Sequence, residues 1–301
     1  MFYYAEYWSK SGGLGQSGDD QTRELEYCVM IALGSSATIS WGAALNYGLV
    51  GWWRVDRQTF GRPVWRDMVG KNDATLTNGP AWRAATHLGG AGALAFDGTN
   101  DYCVLPTNPV GMPAIEANKT LSCWATSDGT ATRRILVSLV KDDTSGAANS
   151  VNLEVNTAFS VQSIRVGKWG ATELVRASTS FADNQWFFIV YTFAGGTAHK
   201  LYINGVDLTA GTGATGNTGA TGIVRFGSFN AAYPTPYHNR QLDDIRIYNR
   251  ALSTTEALGL YHASLTGYPA ERGRQYASFP WRRRVVTGPG VGSMLRMGVG
   301  R

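Results

Sequence analysis

The chain has 301 residues, 44% apolar, 12% aromatic and only 16% charged, with 37 glycines and a net charge of +5. That length holds one large β domain with extensions, or two small domains, and the low charge and abundant glycine suit a loop-rich β protein better than a helical one. No stretch is long and apolar enough for a membrane span, the opening MFYYAEYWSK lacks the pattern of a secretion signal, and the histidines and cysteines show no zinc spacing.

In chain order, residues 1–45 read as an arm: an aromatic start, a flexible SGGLGQSGDD and one strand candidate over 36–44. The arm is acidic, with Glu6, Asp19, Asp20, Glu24 and Glu26 against Lys10 and Arg23. LVGWWRV (49–55) then reads as a strand. Turn signals follow at Gly70–Asp73 and Asn78-Gly79-Pro80, and ALAFDGTNDYCVLP (93–106) gives a strand, a tight Asp97-Gly98 turn and a second strand. Seven strand-like runs at sandwich spacing fill residues 119–208, and Asn204-Gly205 marks a hairpin. Glycines at every third position over 211–222 predict a flexible loop, because four triplets without proline cannot sustain a collagen helix. IVRFGSF (223–229) and QLDDIRIYNR (241–250) return to strand. STTEALGLYHAS (253–264) predicts a helix capped by Ser253 or Thr254, with Glu256 in its first turn. Residues 266–301 form a glycine-rich tail with seven Arg and one Glu. Cys28, Cys103 and Cys123 read as small buried thiols, with a Cys103–Cys123 bridge as the alternative.

Three blocks together resemble laminin-G-like jelly-roll domains of the concanavalin-A-like superfamily. They are LVGWW with NDATLTNGPAW and ALAFDGTNDYCVLP, then QWFFIVYTFAGGTAHKLYINGVDL, then LDDIRIYNRALSTTEALGLY, and they cover roughly residues 49–262. The resemblance implies an all-β fold: a two-sheet antiparallel jelly-roll sandwich over 46–265 with a short C-terminal helix, and extended arms at 1–45 and 266–301. Alternating short strands must bury one face, and sheet on sheet does so. Trp52, Trp53, Phe96, Trp124, Trp186, Tyr202, Ile203 and Ile247 are the expected core.

Asp97, Asn100 and Asp101 place three oxygen-bearing side chains within five residues, a donor set that suits Ca²⁺; the competing reading is a plain turn. Trp169, Tyr233, Tyr237 and His238 lie in or beside loops and are the expected glycan-binding residues, against a reading in which the tyrosines pack under a proline-stiffened loop. Relatives that cleave glucans carry closely spaced acids on one strand, and retaining hydrolysis needs two carboxyls about 5 Å apart. Here VNLEVNT offers only Glu154, between Asn152 and Asn156, among eight Glu in the chain, so no enzyme is expected. Trp281, Arg282, Arg283 and Arg284 of the basic tail either touch phosphates or pair with the acidic arm of another subunit, the preferred reading; nucleic acid and membrane are not expected partners. The functional expectation is a non-catalytic display protein of a phage virion surface, as a decoration or fibre component, that assembles with itself or with other virion proteins through its termini. The alternatives are a free extracellular or cell-surface carbohydrate-binding module and a glycoside hydrolase of the same fold.

Overall fold

The computed structural model describes residues 45–55, 60–84, 92–130, 132–142, 149–155, 163–168, 173–179, 181–213, 219–232 and 235–265. All of the expected arm over 1–45 but Leu45, and the whole tail over 266–301, therefore lie outside the described residues, as does Cys28.

The described chain opens with six short strands: β1 (Leu49–Trp53), β2 (Val64–Trp65), β3 (Ala74–Thr77), β4 (Ala81–Arg83), β5 (Ala93–Ala95) and β6 (Tyr102–Val104). Longer strands follow: β7 (Lys119–Thr126), β8 (Arg134–Val140), β9 (Ser150–Val155), β10 (Ser163–Gly167), β11 (Glu173–Ser178), β12 (Trp186–Phe193) and β13 (His199–Ile203). Then come β14 (Val206–Asp207), β15 (Ala210–Thr212), β16 (Ile223–Phe226), β17 (Gln241–Tyr248) and the helix α1 (Thr254–Leu265). All pairings are antiparallel. The first sheet runs β14-β13-β12-β7-β17-β5-β4, with β1 also on β17, and the second runs β15-β11-β10-β9-β8-β16-β6-β3-β2. This is the expected two-sheet sandwich with a closing helix.

Alternation along each strand divides inner from outer faces. On β9, Val151, Leu153 and Val155 enter the shared core, so Ser150, Asn152 and Glu154 face away from it. On β7, Leu121, Cys123 and Ala125 face the core, and Trp124 joins a second apolar cluster on the outward side of the first sheet. There α1 lays Ala257 and Leu260 against Trp124, Phe188, Val190 and Tyr202. The helix begins with the expected box: Glu256 N–H donates to Ser253 Oγ at 3.2 Å, and Ser253 N–H donates to the Glu256 carboxylate at 2.8 Å.

Most of the expected core is buried, but Trp52 and Trp186 are only half-buried. Trp52 points to the outward face, where its indole donates to Asp244 and lies 4.6 Å below the Arg246 guanidinium. Asp97-Gly98 does not close a hairpin either. β5 belongs to the first sheet and β6 to the second, so the turn carries the chain across the sandwich. The Asn204-Gly205 hairpin joins β13 to β14 as expected. The glycine triplets begin inside a strand rather than a loop, because β15 pairs on the edge of β11; residues 214–218 of that stretch lie outside the described ones. Cys103 and Cys123 carry free thiols in the core, on opposite sheets, and burial raises both above the ordinary thiol range.

One buried carboxylate organises the entry to the fold. Asp67 Oδ1 accepts N–H bonds from Trp52 and Val69, both at 2.9 Å, and Oδ2 accepts from Asn72 at 3.0 Å and Lys71 at 3.1 Å. It thereby ties β1 to the turn between β2 and β3. Replacing Asp67 by Ala leaves four N–H groups without that acceptor, so a loss of at least about 3 kcal/mol is expected in urea unfolding; a loss below about 1 kcal/mol contradicts this role.

Candidate functional site

The segment after β16 turns back over the outward face of the second sheet. Gly227 makes the turn possible: its φ is +84°, and a Cβ there would come within 2.7 Å of the Phe96 ring. Phe229 then packs on Ile135, Val140 and Ile223. Further on, the segment brings Tyr237 to the end of the sandwich where the 97–101 turn lies. Gly98 makes the close approach there, since a Cβ would sit 2.5 Å from Asn239 Cβ.

Tyr102, Arg225, Tyr237 and Asp97 meet at this end. Arg225 lies 4.4 Å from the Tyr102 ring centroid, a cation–π contact. Burial raises the Tyr237 hydroxyl, the neighbouring Tyr102 and Asp97 add to the rise, and Arg225 opposes it. Tyr102 remains half-exposed, and on β3 Thr77 stands opposite it with Thr75 exposed two residues before. Arg225 and Tyr237 are buried, so this end presents the Tyr102 ring, the Asp97 carboxylate and the Thr75 hydroxyl to solvent, a composition suited to a ligand with both apolar and hydrogen-bonding faces.

The supporting groups bond within the protein itself. Asp97 Oδ1 accepts N–H bonds from Thr99 at 2.8 Å, Asn100 at 3.2 Å and Asp101 at 3.4 Å, and the Thr99 bond leads in holding its pKa below the ordinary value. Asp101 Oδ2 accepts from Asp97 N–H at 3.0 Å, and burial raises its pKa. Asn100 presents its backbone carbonyl to Asn78 Nδ2 at 2.8 Å. The three residues proposed for calcium thus form a turn closed by its own N–H groups. Below it, burial would raise Asp128, but bonds from Thr130, Asn239 and Arg134 together hold it down at about 2.

His238 is a correction to the sequence reading. Its ring is buried 5.8 Å from Phe96, and the neighbouring Tyr237 is buried too, as in the reading that packs the tyrosines under the loop, so neither takes the expected ligand-facing position. Trp169, Tyr233 and Trp281–Arg284 lie outside the described residues. Sequence reasoning missed Tyr102 and Arg225. A charged residue in the middle of the apolar strand IVRF was the available signal.

Glu154 sits elsewhere on the same outward face. It is 0% exposed and clamped by two arginines: Arg133 donates through Nε at 2.8 Å and Nη2 at 2.5 Å, and Arg165 through Nε at 2.8 Å. Asn152 accepts from Ser138 Oγ at 3.0 Å and donates to Ser150 Oγ at 3.3 Å. This network joins β8, β9 and β10 into one rigid layer.

A family model described as the concanavalin A-like lectin/glucanases superfamily, of the laminin-G type, matches residues 97–257, more than half of the chain. The chain belongs to that family. No curated protein matches it. Among solved structures, it is similar to domain 4 of AbnA, a GH43 extracellular arabinanase from Geobacillus stearothermophilus in complex with arabinotriose. That match has 18% identity and a TM-score of 0.54, and covers 71% of this chain and 98% of the domain. The sialidase of Trypanosoma rangeli, in complex with 2,3-difluorosialic acid, matches at 20% identity and a TM-score of 0.54 over 74% of this chain, which spans only 34% of the sialidase. The binding domain of Paraclostridial Mosquitocidal Protein 1 matches at 15% identity and a TM-score of 0.53, over 73% of this chain and 53% of that one. At these identities the likeness is one of fold. Among the described residues, no helix is long and apolar enough to cross a membrane.

The buried histidine gives a pH test. Burial lowers His238 to about 3, against an ordinary value near 6.5. Between those values the unfolded chain binds a proton that the folded chain does not. Stability is therefore expected to fall as pH drops below about 6.5, by up to about 1.4 kcal/mol per pH unit from this group. Urea unfolding of His238→Gln should show a shallower slope between about pH 6.5 and 4; an unchanged slope overturns the assignment.

Proposed function

We propose that the sandwich is a non-catalytic glycan-binding domain, and that the chain displays it on a larger assembly, a virion surface, through its terminal segments. The observation that carries the glycan reading is the patch where Tyr102, Arg225, Tyr237 and Asp97 meet. Its half-exposed Tyr102 offers a ring face, and the Arg225 guanidinium against the ring and the internally bonded 97–101 turn hold the site in place, as a preorganised binding site requires. The fold shared with an arabinanase domain in complex with arabinotriose supports the same reading. Support for a non-catalytic role comes from Glu154, whose carboxylate is fully engaged by Arg133 and Arg165 and so is poorly placed to act as acid or nucleophile.

Two facts support display through the termini. Leu45, where the described chain begins, and Leu265, where α1 ends, both pack at the cluster on the outward face of the first sheet. The tyrosine patch lies on the outward face of the second. The segments beyond those two residues also carry opposite charge, acidic before and basic after.

An array of immobilised oligosaccharides, probed with the full chain, is expected to give a defined set of hits. Tyr102→Ala should weaken them about tenfold or more, near 1.4 kcal/mol. Soluble versions of the hits should be recovered intact after prolonged incubation. An empty array overturns glycan binding, and new reducing ends overturn the non-catalytic role. Light scattering of the full chain should show self-association that weakens with salt; a monomer at high concentration contradicts assembly of copies through the termini.

A further inference from the structure

Charge is unevenly spent at the tyrosine end of the sandwich. Its arginines are buried or committed. Arg225 is buried with its guanidinium against the Tyr102 ring. Arg134 pairs with Asp128 at 3.1 Å, and Arg240 pairs with Asp183 at 2.8 Å. Asp97 is the opposite case. It is exposed and, among the described residues, enters no ion pair. The three N–H groups that close its turn all donate to Oδ1. Oδ2 accepts no hydrogen bond within the described chain, and the Thr99 hydroxyl lies beside the carboxylate. Those bonds also keep the group ionised at neutral pH. The end therefore shows solvent a fixed anion with one bare oxygen, next to the half-exposed Tyr102 ring and the Thr75 hydroxyl.

Such a group sets the charge of what can bind. Oδ2 can accept hydroxyl hydrogens, and a hydrogen bond to an ionised acceptor is stronger than one between neutral groups. A carboxylate brought to the same place meets like charge, with each nearby arginine already engaged, and like charges side by side cost affinity. An amine is attracted by Asp97 but opposed by Arg225, whose guanidinium already takes up the cation–π attraction of the Tyr102 ring at 4.4 Å. We propose that the tyrosine patch takes neutral, hydroxyl-rich saccharides and rejects acidic ones, with Asp97 Oδ2 as the hydroxyl acceptor that sets this choice and the Tyr102 ring as the platform for a C–H face of the sugar. This rests on the glycan reading above and narrows it to one charge class.

The test is a matched array of immobilised trisaccharides probed with the full chain. Glucose, galactose and mannose series are each presented in neutral, uronic-acid and amino-sugar forms. Neutral forms are expected to carry the hits, about tenfold or more stronger than their acidic counterparts. That preference should shrink as salt rises, because the anion is exposed and is screened. Asp97→Asn keeps an oxygen for the N–H groups of the turn and replaces Oδ2 by a donor. It should weaken the neutral hits several-fold and bring the acidic forms close to them. An unchanged urea midpoint shows that the turn is intact, and the salt series on the unaltered chain decides the question where Asp97→Asn fails to fold. An array without a hit overturns glycan binding itself and this inference with it. Hits in which the acidic or amino form binds as tightly as the neutral one, or a preference that responds to neither salt nor Asp97→Asn, leave glycan binding standing and overturn the choice assigned to Asp97.

Discussion

Strand β17 holds the first sheet together, because three strands depend on it. Along one edge it pairs with β7; along the other it pairs first with β5 and then with β1. The change comes at Asp243 and Asp244, where the register on β7 shifts and Asp244 adopts a φ of +49°. Such a bulge re-aims side chains without ending the strand. Asp243 thereby accepts the Val55 N–H at 2.7 Å, fixing the chain just after β1. Asp244 accepts the Trp52 indole N–H at 2.6 Å and two bonds from Arg246 at 2.9 Å. Burial alone would raise Asp244, but Arg246, the Trp52 indole and Arg54 together outweigh it and hold the carboxylate below its ordinary value. A buried pair of this kind is weak as a source of stability but strict about geometry, since breaking it leaves a buried charge alone. Here it specifies which strand sits where.

That arrangement gives the two outward faces different work. The first sheet's face is apolar around Trp124, Phe188 and Tyr202, and α1 closes it. The second sheet's face is polar through β9 and β10, with Glu154 and Arg165 directly opposite each other, and the segment after β16 crosses it. Turns from both sheets meet at one end, which is why residues as distant in sequence as Asp97, Tyr102, Arg225 and Tyr237 converge.

Much of the fold was legible because the strands are short and alternate. The helix was legible because Ser253 and Glu256 make a capping box, and the β13–β14 hairpin because Asn204-Gly205 suits a tight turn. Less legible was anything set by pairing between sheets. Asp97-Gly98 looks like a hairpin turn locally, and only the partners of β5 and β6 show that it crosses the sandwich. Trp52 and Trp53 are adjacent aromatic residues of one strand, so one must face outward, yet nothing local says which. The site was legible in part: Asp97 stands out in a loop, whereas Tyr102 and Arg225 sit in apolar strands, and Tyr237 and His238 look available until the fold buries them. Asp67 carried no signal beyond being an acid near a turn.

The central claim is that ligand meets the end of the second sheet and leaves the helix-covered face alone. Hydrogen–deuterium exchange of the full chain, with and without an oligosaccharide that binds it, tests this most directly. Protection is predicted at backbone amides of 97–104, 223–229 and 235–240, with no change over α1. Protection confined to α1 and the outward side of β12 and β13 would contradict it.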